Sequence, residues 1–148
     1  METAVAIYEQ VNTPLLHISS GYYNLAGLRF FDGRMMEAYQ LYKKSLIGFN
    51  SVNPEETQHF TWIKFHDAGS AYLGLALAMK ETQQIELAAA FDKKAYQILN
   101  NYYPDSDVTV IAMINLASDY LELGNNDEAI VFATMAEDWI SEHEAYDR

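Results

Sequence analysis

Histidine is the residue type in this chain that most readily binds a metal ion or transfers a proton near neutral pH, and the chain contains four histidines. His59 and His66 lie seven residues apart, which is about 10.5 Å along a helix at 1.5 Å per residue. That separation is too large for both side chains to bind one metal ion directly. His143 is followed by Glu144 but lacks the second histidine of a zinc-protease helix. We therefore expect no metal site.

The other residue types offer little for catalysis. The chain has no cysteine, and therefore neither a thiol nucleophile nor a disulfide. No glycine-rich phosphate loop, nucleophile elbow or pair of catalytic acids stands out. The lysine pairs Lys43-Lys44 and Lys93-Lys94 recur at matching places, and a solvent-exposed helix face accounts for them. The sequence thus predicts a protein that is not an enzyme and needs no cofactor.

The charge of the chain narrows the choice of partner. The net charge is −12, which disfavours nucleic acids and anionic membranes, because proteins bind both mostly through lysine and arginine. The acids are concentrated at the end of the chain, where residues 119–148 include nine acidic residues and one basic residue. Two interpretations stay open for this segment. It is either a solvated outer face, or an acidic patch that meets a basic partner or mimics a nucleic acid.

The segment 110–140 predicts two amphipathic helices joined by a tight turn. In the first helix, one stripe with the spacing of a helix face is formed by Met113, Leu116, Ala117 and Tyr120. Gly124 then ends the helix, because glycine adopts the left-handed backbone at low cost. The second helix presents small side chains on one face, at Ala129, Ala133 and Ala136.

This pattern resembles a tetratricopeptide repeat, and it recurs in the chain. A second copy consists of Tyr22, Leu25, Ala26, Gly33, Ala38, Tyr42 and Ser45. A degenerate copy consists of Tyr72, Leu75, Ala76, Met79, Ala88 and Ala95, with Gln83 in place of the turn glycine and Asp92 where an aromatic or small residue is usual. The turn positions are 50 and 41 residues apart, whereas the common repeat unit has 34 residues. The excess predicts longer helices or insertions.

The resemblance implies an all-α fold in which antiparallel helical hairpins stack as a short right-handed solenoid of about seven helices. We predict a single domain over residues 1–148, with repeats near 14–50, 54–102 and 106–144 and a capping helix at 1–12. Asn53 and Pro54 form a helix start signal. No residue that would break a helix follows until about Thr82, so the first helix of the second repeat is predicted to be unusually long.

In such repeats the first helix of each hairpin lines a concave face. The residues expected to form one ligand-binding groove there are Tyr23, Asn24, Phe30, His66, Leu73, Asn115 and Ser118. Asn24 and Asn115 hold equivalent places, and in this family an asparagine there often bonds the backbone of a bound peptide, because an amide both donates and accepts. The alternative is that these residues pack on neighbouring helices, on another subunit or on the ends of the chain.

The resemblance favours a non-catalytic module that binds a peptide or protein segment, as an adaptor or a ligand-sensing regulatory domain. The family's clamp for a C-terminal carboxylate needs several basic residues on the concave stripes, and only Lys80 is available, which argues against a heat-shock-chaperone tail as ligand. Two alternatives are a chaperone for a secreted protein, and an acidic inhibitor or nucleic-acid mimic that acts through the C-terminal face.

The location and the association state are further expectations. No signal peptide or membrane span is visible in the sequence, and the lack of cysteine fits a reducing compartment, so a cytoplasmic location is predicted. The last helix offers four apolar residues, and a homodimer is the simplest way to cover them if the chain does not. They are Phe132, Met135, Trp139 and Ile140.

Overall fold

The computed structural model describes residues 15–52 and 62–144, and these residues form six α-helices and no strand. The predicted all-α hairpin architecture is confirmed. About seven helices were predicted, and the additional one, at 1–12, lies outside the described residues. The helices are α1 (Leu15–Phe31), α2 (Met35–Ser51), α3 (Asp67–Glu81), α4 (Ile85–Tyr102), α5 (Asp107–Glu122) and α6 (Asn126–Glu144), and a π-helical turn at Trp62–His66 leads into α3.

Each hairpin turns at the residue that the sequence indicated. Gly33, Gln83 and Gly124 have φ angles of 75°, 60° and 76°. In every turn the residue that follows the one with positive φ donates its backbone N–H to a carbonyl five residues back, as from Asn125 to Tyr120 at 2.8 Å. This is the bonding pattern of a glycine-type helix end. Gln83 adopts the same left-handed backbone with a side chain attached, which costs about 1–2 kcal/mol relative to glycine.

Small residues let the two helices of a hairpin approach closely. Ala26 of α1 and Ala38 of α2 are fully buried, and Ala76 of α3 and Ala88 of α4 are fully buried in the same way. Gly69 of α3 lies so close to Leu99 of α4 that a methyl group at Gly69 would overlap the leucine side chain. The hairpin contacts are therefore set by the absence of side-chain volume at these positions.

The hairpins stack because the first helix of one packs onto the second helix of the one before. The core between α1, α2 and α3 is built around Phe49, which is fully buried, together with Leu46 and Leu75. The core between α4 and α5 is built around Leu99 and Ala112. Each new first helix thus covers the apolar face left by the preceding hairpin, as in other repeat proteins.

The C-terminal part of α6 is attached to the segment that precedes α5. The Trp139 indole donates a hydrogen bond from Nε1 to the Pro104 carbonyl at 2.8 Å, and its ring stacks on His143 with centroids 3.6 Å apart. Phe132 and Met135 pack on the core between α4, α5 and α6. Three of the four residues expected to drive dimerisation therefore have partners within the chain, and Ile140 remains 37% exposed.

Within the described ranges, no helix combines the length and the apolar character needed to cross a membrane.

Candidate functional site

Six of the seven predicted groove residues lie on the first helices of the hairpins, α1, α3 and α5. The seventh, His66, ends the π-helical turn before α3. Helices α1 and α3 are linked directly on this side. Ser20 donates a hydrogen bond to Asp67 at 2.7 Å, and Tyr23 is hydrogen bonded to Ser70. The structure thus brings the N-terminal halves of α1 and α3 together.

Tyr23 lies half-buried in the contact between α1 and α3. Its ring is 6.1 Å from that of Tyr42 on α2. Burial raises the pKa of Tyr23, the bond from Ser70 acts in the opposite direction, and the negative charge of Asp67 raises it further. Burial and the neighbouring Tyr23 together raise the pKa of Tyr42 to about 12. Both phenols therefore stay neutral at physiological pH, and Tyr23 presents only part of its ring to a ligand.

Three other predicted groove residues also contact their own chain. Phe30 packs on the core of the first two hairpins and meets Phe31 edge-on with ring centroids 6.0 Å apart. Leu73 packs on the core between α4 and α5. His66 Nδ1 lies 3.6 Å from the Asp67 carboxylate, and the ring meets Tyr103 edge-on. These three side chains therefore pack within the protein and leave little of their surface for a ligand to contact.

Asn24 and Asn115 occupy equivalent sequence positions but different environments. Asn24 is exposed on α1. Asn115 is half-buried on α5 and donates a hydrogen bond from Nδ2 to Asp92 Oδ1 at 3.3 Å. Ser118, one turn further along α5, is exposed. Asn24 and Ser118 are therefore the predicted polar residues most accessible to a ligand, whereas Asn115 already has a partner in the fold.

Next to Asn115 lies a buried group of charges, Lys80, Asp92 and Asp119, which we call the buried ion cluster. Lys80 Nζ lies 2.9 Å from Asp92 Oδ2 and 2.7 Å from Asp119 Oδ1. Both carboxylates are fully buried, while the lysine side chain is 22% exposed. The cluster joins α3, α4 and α5, so one ammonium group stabilises two acids contributed by different hairpins.

Burial and the neighbouring charges both shift the pKa values of the buried ion cluster. Burial raises the pKa of Asp92 from its ordinary value of 3.8 to about 7, the adjacent Asp119 adds to the rise, and Lys80 opposes it. Burial alone would lower the pKa of Lys80, but the two carboxylates beside it raise it. Lys80 thus forms its ion pairs within the protein. The one basic residue expected on the concave stripes is therefore not available to bind a ligand's carboxylate.

Sequence reasoning did not predict this cluster, although one signal was present. Asp92 stands where the repeat pattern has an aromatic or small residue. A charged side chain at an otherwise buried position requires a partner of opposite charge, and Lys80 is the nearest base before it in the chain. Among the described residues, no group of three histidine, aspartate or glutamate side chains is arranged to hold a metal ion.

Comparison with known proteins agrees with this architecture. A family model described as tetratricopeptide repeat matches residues 67–138. A crystal structure of BtubC (BKLC) from P. vanneervenii is similar over 95% of this chain with a TM-score of 0.70 and 19% sequence identity. The matched region is 53% of that protein, so the chain spans about half its length. No protein of curated function matches the sequence. The structural similarity at this identity is a similarity of fold.

Proposed function

Because residues 67–138 belong to the tetratricopeptide repeat family, we propose that this protein binds a peptide or protein segment on the face formed by α1, α3 and α5. Repeats of this family generally mediate protein interactions and are generally non-catalytic. We further propose that the ligand lies across the first helices and that the protein serves as an adaptor or a ligand-sensing domain.

The observation that carries this proposal is the mixture of exposed apolar and polar side chains on the first helices. Phe31 is 87% exposed, Leu77 is 43% exposed and Ile111 is 46% exposed, and Asn24 and Ser118 are exposed on α1 and α5. Apolar contacts supply most of the affinity for a bound segment, while amides and hydroxyls bond its backbone. The proposed ligand is therefore a segment with apolar side chains and free backbone groups.

A matched pair of double variants tests the proposal. The concave variant combines Asn24→Ala with Leu77→Ser. The control combines Asn100→Ala with Ile47→Ser, which makes the same asparagine change and replaces an isomeric aliphatic side chain by serine, at exposed positions on the second helices α4 and α2. Partners are captured from a lysate with the wild type, identified by mass spectrometry, and titrated calorimetrically against all three proteins.

We expect the concave variant to bind the identified partner about tenfold more weakly or worse, because each lost contact costs roughly 1 kcal/mol. The control should bind like the wild type, and all three proteins should have similar melting temperatures. If the control loses binding while the concave variant keeps it, the ligand lies on the outer helices and the proposal is wrong.

A further inference from the structure

The last hairpin leaves a groove open between α5 and α6. It consists of two adjoining cavities of about 650 Å³ and 330 Å³ that share Ala117 and Ala133. The floor of small residues includes Ala129 and Ala136, and Ile140 lies at one end. We call this surface the terminal groove. It lies at the end of the hairpin stack and not on the face proposed above, although Ser118 borders both.

The terminal groove has an equivalent in each preceding hairpin, and there a helix fills it. Phe49 and Leu99 lie eleven residues after the alanines Ala38 and Ala88, and both are fully buried under the next first helix. Ile140 lies eleven residues after Ala129 but is 37% exposed. The terminal groove therefore has the shape of a helix-packing site, and the described residues supply no helix that packs there.

The equivalent positions also indicate what that helix must carry. Four residues after the same alanines stand Tyr42, Asp92 and Ala133. Tyr42 packs against Gly74 of α3, and Asp92 bonds Asn115 of α5. In both pairs the side chain of the hairpin fills the contact.

In the last hairpin the corresponding residue, Ala133, is too small to fill the contact in this way. Ala133 is exposed and borders both cavities. The incoming helix must therefore supply the volume that Tyr42 supplies in the first hairpin. A large apolar side chain over Ala133 meets this requirement, because well-packed interfaces leave few voids.

The charge around the terminal groove distinguishes between two possible occupants, a second copy of this chain and a basic partner protein. Residues 107–144 contain nine acidic residues and neither lysine nor arginine, and of the acids only Asp119 is paired with Lys80. Glu137 lines the terminal groove, and Glu122 and Glu144 continue its two helical stripes, each four residues after a groove residue. A second copy would bring the same acids to the contact, and like charges repel.

From these observations we propose that the terminal groove is the docking site for a basic amphipathic helix of a partner protein. Its apolar stripe, with the spacing i, i+3 or i+4, i+7, lies on the alanine floor and places a large side chain over Ala133. Its flanking lysines or arginines face Glu122, Glu137 and Glu144. This inference goes beyond the proposed function, because it uses the end of the hairpin stack and does not require a ligand on the first helices.

Three synthetic peptides of about 18 residues, long enough for about five helical turns, test the proposal. One has a leucine stripe flanked by lysines. The second has the same composition in scrambled order, and the third keeps the stripe but replaces lysine with glutamate. Fluorescence anisotropy measures their binding to the wild type, to Ala133→Gln and to the control Thr134→Gln, which places the same glutamine at the next, also exposed, position of α6.

We expect the striped lysine peptide to bind the wild type and Thr134→Gln alike, and Ala133→Gln about tenfold more weakly, because a long polar side chain occupies the groove floor. The scrambled and glutamate peptides should bind at least about tenfold more weakly than the striped lysine peptide, and raising the salt should weaken its binding. The concave variant should bind it normally, which separates this test from that of the proposed function.

Three results would overturn the proposal. The first is equal binding of the striped and scrambled lysine peptides, which would reduce the effect to general charge attraction. The second is no binding of the striped peptide at tens of micromolar. The third is sedimentation of the wild type as a dimer that Ala133→Gln dissociates, which would assign the groove to a second copy of the chain.

Discussion

At the scale of single residues, the buried ion cluster is the most consequential feature. Two fully buried carboxylates share the one ammonium group of Lys80, so the cluster has an excess negative charge when both acids are ionised. A buried excess charge is unfavourable, and a protein relieves it by taking up a proton. Burial and the adjacent Asp119 raise the pKa of Asp92 to about 7 for this reason.

The cluster should make stability depend on pH in a direction unusual for an acid. Between pH 3.8 and about 7, the folded state holds a proton on Asp92 that the unfolded chain has released. The free energy of unfolding therefore falls as pH rises through that window, by at most about 1.4 kcal/mol per pH unit from this group. Asp92→Asn removes the titration, so the difference in stability between the variant and the wild type should change from pH 5 to pH 7.5.

Urea unfolding followed by circular dichroism at several pH values measures this difference. The matched control is Asp138→Asn, because Asp138 is an exposed acid on α6, and its stability relative to the wild type should stay nearly constant over the same range. A parallel pH dependence in the wild type and Asp92→Asn would show that Asp92 does not titrate near neutrality in the folded protein.

At the scale of helices, close approach at glycine fixes how α3 packs on α4. A Cβ atom at Gly69 would lie 2.5 Å from Leu99 Cγ, and Leu99 is fully buried. Gly69→Ala should therefore destabilise the protein by about 1–3 kcal/mol, because the core has no space for the methyl group. The midpoint of urea denaturation measures the change.

The control for this prediction is Gly27→Ala in α1. There a Cβ atom would meet nothing closer than the Tyr42 hydroxyl at 3.8 Å. Alanine is the better helix former by about 0.5–1 kcal/mol, so Gly27→Ala should be neutral or stabilising. Equal destabilisation by the two variants would mean that close packing at Gly69 is not what distinguishes them.

At the scale of the whole molecule, charge and packing both argue for a monomer. Phe132, Met135 and Trp139 contact the chain's own core or loop, which removes most of the apolar face on which a homodimer was predicted. The remaining exposed apolar residues of the last hairpin lie among acidic residues. Sedimentation velocity at tens of micromolar and low salt should show a monomer, because screening of the acids is weakest there.

A dimer under these conditions would confirm the homodimer prediction. If the dimer persisted in Ala133→Gln, its interface would lie outside the terminal groove. The same experiment at high salt shows whether repulsion between acidic hairpins is what keeps the protein monomeric.

The sequence by itself determined the hairpins and their turns. A helix end of the kind seen in these turns uses a residue with positive φ, and the helical spacing of apolar residues is set by the chain's own geometry. Both are local properties, so Gly33, Gln83 and Gly124 could be identified without knowing the packing. The repeat family and the all-α class followed from the same local signals.

The tertiary structure alone decided which side chains are available for function. Asn24 and Asn115 have the same place in the repeat, yet one is exposed and the other bonds Asp92. Likewise Ala133 is exposed where Tyr42 and Asp92 are buried. Availability depends on the neighbouring helix and its side chains, which lie far away in the sequence. The buried ion cluster, spanning three helices, could be found only once those helices had been placed side by side.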